Sequence, residues 1–150
     1  MDIFDRDDKL LYRHPEQSLE GADLTGLCLR RANLSGANLR SLKFRLNYKQ
    51  ETRTWEGDLD EADFSNADLT GARFGSEAAL QFADFRGAIM HGVHFGPGCY
   101  LKGANFEGAV LADCRFNTVD LSSVNLRNAD LSRSTWWLKK QRAERKPPKR

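Results

Sequence analysis

Large apolar residues recur at every fifth position over most of this chain: Leu19, Leu24, Leu29, Leu34, Leu39 and Phe44, then Leu59, Phe64, Leu69 and Phe74. After a one-residue slip the series resumes with Leu80, Phe85, Met90 and Phe95, and after a second slip it runs from Leu101 through Phe106, Leu111, Phe116, Leu121, Leu126 and Leu131 to Trp136. A period of five matches neither the 3.6 of a helix nor the sustained two of a long strand. The large residue and the small one two places before it share one side of a short extended segment, so both point inward. Glycine recurs two places after the large residue, at Gly26, Gly36, Gly71, Gly87, Gly92, Gly103 and Gly108. A tight corner needing positive φ explains that choice. Each pentapeptide therefore predicts one short side and one corner.

Written out, the units read ADLTG, LCLRR, ANLSG, ANLRS and LKFRL from Ala22, and ADFSN, ADLTG and ARFGS from Ala62. This A(D/N)(L/F)xx pattern, sustained from about Leu19 to Trp136, resembles the pentapeptide-repeat family. The resemblance implies an all-β fold, a right-handed quadrilateral β-helix with four repeats per coil. Stacked coils are then spaced by the roughly 4.8 Å of paired strands, around a column of Leu and Phe lined by Ala. The two slips, at GSEAAL and GPGCYL, lie about one coil apart, so the inserted residues are predicted one above the other at the same corner. Cys99 and Cys114 fall at the small inward position, where a thiol replaces Ala.

The stretch LNYKQETRTWEG breaks the rule, because Asn47, Lys49, Thr52 and Thr54 fall where inward apolar groups belong. Burying them unpaired costs several kcal/mol, so residues 46–57 are expected to leave the wall as a loop. Fifteen residues separate Phe44 from Leu59, which suggests a loop replacing two sides of one coil. Residues 1–18 read as an N-terminal cap carrying Ile3, Phe4, Leu10, Leu11 and Tyr12, and 19–135 as the solenoid. Residues 136–150 read as a C-terminal cap and basic tail, the cap a short helix begun at Ser134 with Trp136 and Trp137. Such caps cover edges and core side chains that an open solenoid end exposes.

Charge divides the chain unevenly. The formal net charge is +2, but seven basic residues against Glu144 give +6 from Trp136 onward, and 16 Lys and Arg against 20 Asp and Glu leave −4 in the body. The acidic N-terminus lacks a signal-peptide pattern and no apolar run reaches membrane-spanning length, so a cytoplasmic protein without membrane contact is expected. The three cysteines show no CxxC pair or zinc spacing, and His91 and His94 lack an evident third ligand, so neither metal nor cofactor is expected.

Catalysis is not expected either. Asp23, Asp63, Asp68, Asp84, Asp120 and Asp130 all occupy the outward slot just before the large residue, where a side-chain oxygen satisfies a local backbone donor. Binding is the better class. Projected onto four faces, Arg73, His94 and Arg115 stack in successive coils as a basic strip, with Arg53 of the loop near its extension. The adjacent face stacks Ile89 and Val110 outward, near Ala112, with Tyr48 above them, as an apolar protein-contact patch. The loop adds Arg53 and Trp55, and loops on rigid scaffolds carry function. Direct nucleic-acid binding is not expected beyond a weak contact through the charge of the basic tail, because the chain offers no stacking platform or recognition helix.

The expected function is thus a non-enzymatic scaffold for protein–protein interaction, its partner an unspecified protein. The resemblance implies an alternative, a DNA-mimicking modulator of a type II topoisomerase, DNA gyrase or topoisomerase IV, and a terminal helix serving homodimerisation. The −4 body with a basic strip fits a mimic poorly.

Overall fold

In a computed structural model, residues 1–45, 47–49 and 54–137 are described. The chain winds as a four-sided solenoid in which every side stacks on the same side of the next coil. One column of outward positions runs Asn38, Asp68, Ile89, Val110, Asp130, which we name the first face. Asp23, Lys43, Arg73, His94, Arg115 and Thr135 run up the second. On the third face Cys28 pairs with Asp58, and Ala79 with Tyr100. Asn33, Asp63, Asp84, Asn105 and Asn125 form the fourth.

The inward side of each column is the core. The inward Leu and Phe of the repeats from Leu19 to Phe116 are essentially inaccessible, and so are most of the small inward residues from Ala32 to Cys114. Phenylalanines stack in two columns: Phe64, Phe85 and Phe106 at 4.9 and 4.6 Å, and Phe74, Phe95 and Phe116 at 5.2 and 4.9 Å. The columns meet edge to face at 6.1 to 6.3 Å. Parallel offset rings within a column and T-shaped contacts between columns are both favoured by the ring quadrupole. The thiols of Cys99 and Cys114 donate to the carbonyls of Gly75 (3.1 Å) and Met90 (2.9 Å). Burial pushes both up to about 12, so they stay protonated packing groups.

Corners follow the predicted logic. Gly26, Gly36, Gly71, Gly87, Gly92, Gly103 and Gly108 all have φ between 64 and 75°. Asp, Asn, Arg, Glu, Ser and even Phe82 adopt the same conformation at other corners, where the turn is enforced by stacking rather than chosen by the residue. In the outward slot, Asp23, Asp58, Asp63, Asp68, Asp84, Asp120 and Asp130 each accept from the amide two residues ahead at 2.7 to 3.1 Å, as do Asn33, Asn38, Asn105 and Asn125 at up to 3.3 Å. This is the structural role expected of the motif aspartates.

The slips stack as predicted: Gly96 lies over Gly75, Glu77 donates to the Pro97 carbonyl, and Ala79 pairs with Tyr100. The loop does not replace two sides. Asp58 pairs with Cys28, and Asn38 with Asp68 and Lys43 with Arg73 across thirty residues, so Leu59 opens the side that directly follows Phe44. The extra residues are instead inserted at one corner, the same corner that holds both slips. There Asn47–Lys49 (which we label β4) and Thr54–Glu56 (β5) pair antiparallel with Tyr48 opposite Trp55. A hairpin satisfies its own backbone and so needs nothing from the wall.

Both ends differ from a simple cap. At the N-terminus Asp2–Phe4 (β1) and Leu10–Arg13 (β2) form an antiparallel hairpin whose Ile3 is buried, and Phe4 accepts from Asn33 at 2.7 Å. At the other end Thr135–Trp137 (β9) is a strand, not the start of a helix. Its backbone is held by the preceding coil, and the Ser134 hydroxyl bonds Leu111 O and Cys114 N instead of capping a helix. Trp136 is consequently 41% exposed rather than core, since no described coil stacks on it. The remainder of the expected helical cap, and the basic tail, lie outside the described residues.

Candidate functional site

The second face differs from the other three in being a continuous parallel sheet. Lys43–Phe44 (β3), Arg73–Phe74 (β6), His94–Phe95 (β7), Arg115–Asn117 (β8) and β9 pair in unbroken order. The outward slot contributes to this. Asp23 at the foot of the column bonds the Thr25 amide, whereas Lys43, Arg73, His94 and Arg115 offer no such acceptor. The amides of Gly75 and Gly96 turn instead to the carbonyls of Phe44 (2.6 Å) and Phe74 (2.7 Å) in the coil beneath, which lengthens the pairing. The missing acceptor is not sufficient on its own, since Ala79, Tyr100, Ile89 and Val110 also lack one and form only isolated bridges.

This register brings the predicted strip together: Arg73 lies opposite His94, and His94 opposite Arg115. Arg73 and Arg115 are exposed and His94 partly so. The strip begins one rung earlier than the sequence suggests, with Lys43 and not Arg53, because the coil beneath Arg73 is thirty residues long and not twenty. Arg53 lies outside the described residues, and so does the Trp55 side chain. Lys43, Phe44, Arg45, Arg73 and Gly75 with Asp23 and Thr25 also line a groove at the foot of the strip, beside the corner from which the hairpin emerges.

His94 is the uncharged rung. Burial holds its pKa below the usual imidazole value, and the cations of Arg73 and Arg115 on either side act in the same direction. Asn117 Nδ2 stands 2.7 Å from His94 Nε2, so the neutral ring accepts there and carries its proton on Nδ1.

Elsewhere, acids are answered by arginines. Arg30 spans Asp58, Asp60 and Glu61, Arg40 meets Asp68 at 3.1 Å, Arg86 meets Asp84, and Arg133 grips Asp113 with two bonds of 2.6 Å. Asp60 is the one buried charged side chain among the described residues. Burial raises its pKa against the opposing bond from the Gln81 amide at 2.6 Å. Its position just after Leu59, ordinarily an exposed corner, gives no hint of this in the sequence.

On the first face Ile89 and Val110 are adjacent and 47% and 38% exposed. Asp68, not Tyr48, stands next to Ile89, and Asp130 closes the column beyond Val110, so the apolar patch is two residues tall. Ala112 is buried. Phe82 (55%) and Tyr100 (51%), which sequence reasoning did not single out, are the most exposed large apolar side chains among the described residues. Among the described residues no group of three His, Cys, Asp or Glu could hold a metal ion, and no helix is long and apolar enough to cross a membrane.

Three comparisons bear on identity. The pentapeptide-repeat profile matches in eight copies over residues 18–45, 58–95 and 99–135, and leaves out the hairpin. The chain belongs to the pentapeptide-repeat family. Among solved structures it is similar to the pentapeptide repeat protein Rfr23 of the cyanobacterium Cyanothece 51142, at 19% identity over 77% of this chain and 84% of that one, with a TM-score of 0.25. It is also similar to full-length QnrB1, a plasmid-mediated fluoroquinolone resistance protein (18%, 68% and 57%, TM-score 0.24). A third is a pentapeptide repeat protein of the Arabidopsis thaliana thylakoid lumen (24%, 65% and 66%, TM-score 0.26). No curated protein sequence matches.

Proposed function

We propose that this protein is a non-enzymatic scaffold that binds a protein partner through its second face. The observation that carries the reading is the unbroken register of Lys43, Arg73, His94 and Arg115, one side chain per coil on a parallel sheet. A rigid backbone fixes these groups relative to one another, so little conformational entropy is lost on binding. The aspartates that would otherwise suggest acid–base chemistry are engaged by corner amides and arginines.

DNA-mimicking modulation of DNA gyrase or topoisomerase IV is the second reading. It draws on the rod-like stack of coils, and it requires acids where this face presents cations, which places it behind the first.

The test is affinity capture from a lysate of the source organism, with the intact chain beside an Arg73→Glu/Arg115→Glu variant of unchanged thermal stability. A protein retained by the intact chain and lost with the variant is expected. Gyrase or topoisomerase IV subunits retained equally by both would favour the second reading, and retention of nothing by either would remove the scaffold reading.

A further inference from the structure

We infer that the second face seats an acidic α-helical segment of the partner, lying along the solenoid axis with about one carboxylate per coil. The inference rests on the scaffold reading above and names the chemistry of its partner.

The argument is one of spacing. Parallel-paired rungs repeat at about 4.8 Å, so Lys43 to Arg115 spans roughly 14 Å in three steps. Carboxylates on one side of an α-helix recur once per turn, about 5.4 Å, and span roughly 16 Å in three turns. Same-side residues of an extended strand recur at about 6.7 Å and span roughly 20 Å. Lys and Arg stems absorb a mismatch of about 2 Å along the column, but not one of about 6 Å.

Width favours the same occupant. The cationic column is one residue across. Beside its rungs stand Asp68, Ile89, Val110 and Asp130 on one face and Asp58, Ala79 and Tyr100 on the other, with Asp68 paired to Arg40 and Asp58 to Arg30. An α-helix about 10 Å in diameter sits over the column alone. A nucleic-acid duplex is broader and would bring its phosphates over Ile89, Val110 and Ala79, which offer them no charge. No described side chain in the column offers an aromatic platform to a single strand either.

His94 gives the contact a signature of its own. The groups facing it are Arg73 on β6, and Arg115 and Asn117 on β8. Burial is the larger cause of the lowered pKa and docking buries the ring further, while Asn117 keeps donating to Nε2, so the ring stays neutral and docking is insensitive to pH between 7.5 and 6.

The experiment uses the full chain and a synthetic Ala-rich helical peptide with Glu at successive i, i+4, i+7 and i+11 positions. The controls are a peptide of the same composition with Glu spread around the helix, and a short DNA duplex. The one-faced peptide is expected to bind about tenfold or more tighter than the dispersed one at low salt. Arg73→Gln/Arg115→Gln is expected to lose that advantage while keeping its thermal midpoint. Binding by the unaltered chain is expected to be the same at pH 7.5 and pH 6. Equal binding of the two peptides, tighter binding of the duplex, or normal binding by the double arginine variant would each overturn the inference. If captured partners depend on the strip while the peptide does not bind, the helical occupant is wrong and the scaffold reading stands.

Discussion

Gly96 lies directly on Gly75, so closely that a Cβ at Gly96 would stand 2.7 Å from the carbonyl carbon of Gly75 and from the amide nitrogen of Ser76. The obstructing atoms are backbone and have no rotamer to escape into. Gly96→Ala is therefore expected to destabilise by about 3 kcal/mol through forced separation of two coils. Gly92→Ala meets open space and carries only the strain of its positive φ, about 1 kcal/mol. Urea unfolding of the two variants compares them; equal losses would mean that this corner is not tightly stacked.

Phe85 sits between Phe64 and Phe106 in one aromatic column and touches Phe74 in the other. Truncating it to Ala removes stacked contacts above and below and an edge-to-face contact with the second column. A loss of about 3–5 kcal/mol is expected by chemical denaturation.

Because the hairpin is inserted at a corner, its removal leaves the coil complete. Excising residues 46–55 joins Arg45 to Glu56 and restores five-residue spacing between Phe44 and Leu59. The shortened chain is expected to keep its circular dichroism spectrum and to change in stability by about 1 kcal/mol or less. Had the hairpin replaced two sides, the deletion would misalign every later coil, and the protein would fail to fold cooperatively.

Acid should unfold the protein through its corners. Amide bonds from Ser122 and Ser132 hold Asp120 and Asp130 below the usual carboxylate value; hydrogen bonds do the same for Asp23 from Thr25 and for Asp113 from Arg133. A depressed folded-state pKa contributes stability that is present above the unfolded value and lost as pH falls through the folded one. Asp60, raised by burial, has the opposite sign: its contribution is present in acid and fades as pH rises. The thermal midpoint is expected to drop below about pH 4, and carboxyl NMR titration to place Asp60 above Asp120. The reverse order would contradict the burial of Asp60.

Replacing a single corner acid is expected to be mild. Asp120→Ala removes one bond of 2.9 Å at an exposed turn, about 1 kcal/mol by thermal unfolding. Loss of folding would assign Asp120 a role beyond its own corner.

The repeat itself was legible because its information is local. Each inward Leu or Phe, each Asx in the outward slot and each corner glycine specifies its own five residues, and the slips at GSEAAL and GPGCYL betrayed their shared corner by being one coil apart. The strip of Arg73, His94 and Arg115 followed from the same counting. Counting failed across residues 46–57. Fifteen residues fit either three sides or one corner with an insertion, and only the pairing of Asp58 with Cys28 and of Lys43 with Arg73 distinguishes them. Arg53 and Tyr48 were thereby assigned to columns that belong to Lys43 and Asn38.

The sequence by itself determined the side length, the inward and outward alternation and the corner chemistry, since these arise from neighbours along the chain. The tertiary structure decided which rung stands on which, and hence the start of the cationic strip at Lys43, the neutral state of His94 between two arginines, the burial of Asp60 and the strand at Thr135–Trp137. Those properties come from the coils above and below, twenty to thirty residues away, where stacking outweighs the preference of any single pentapeptide.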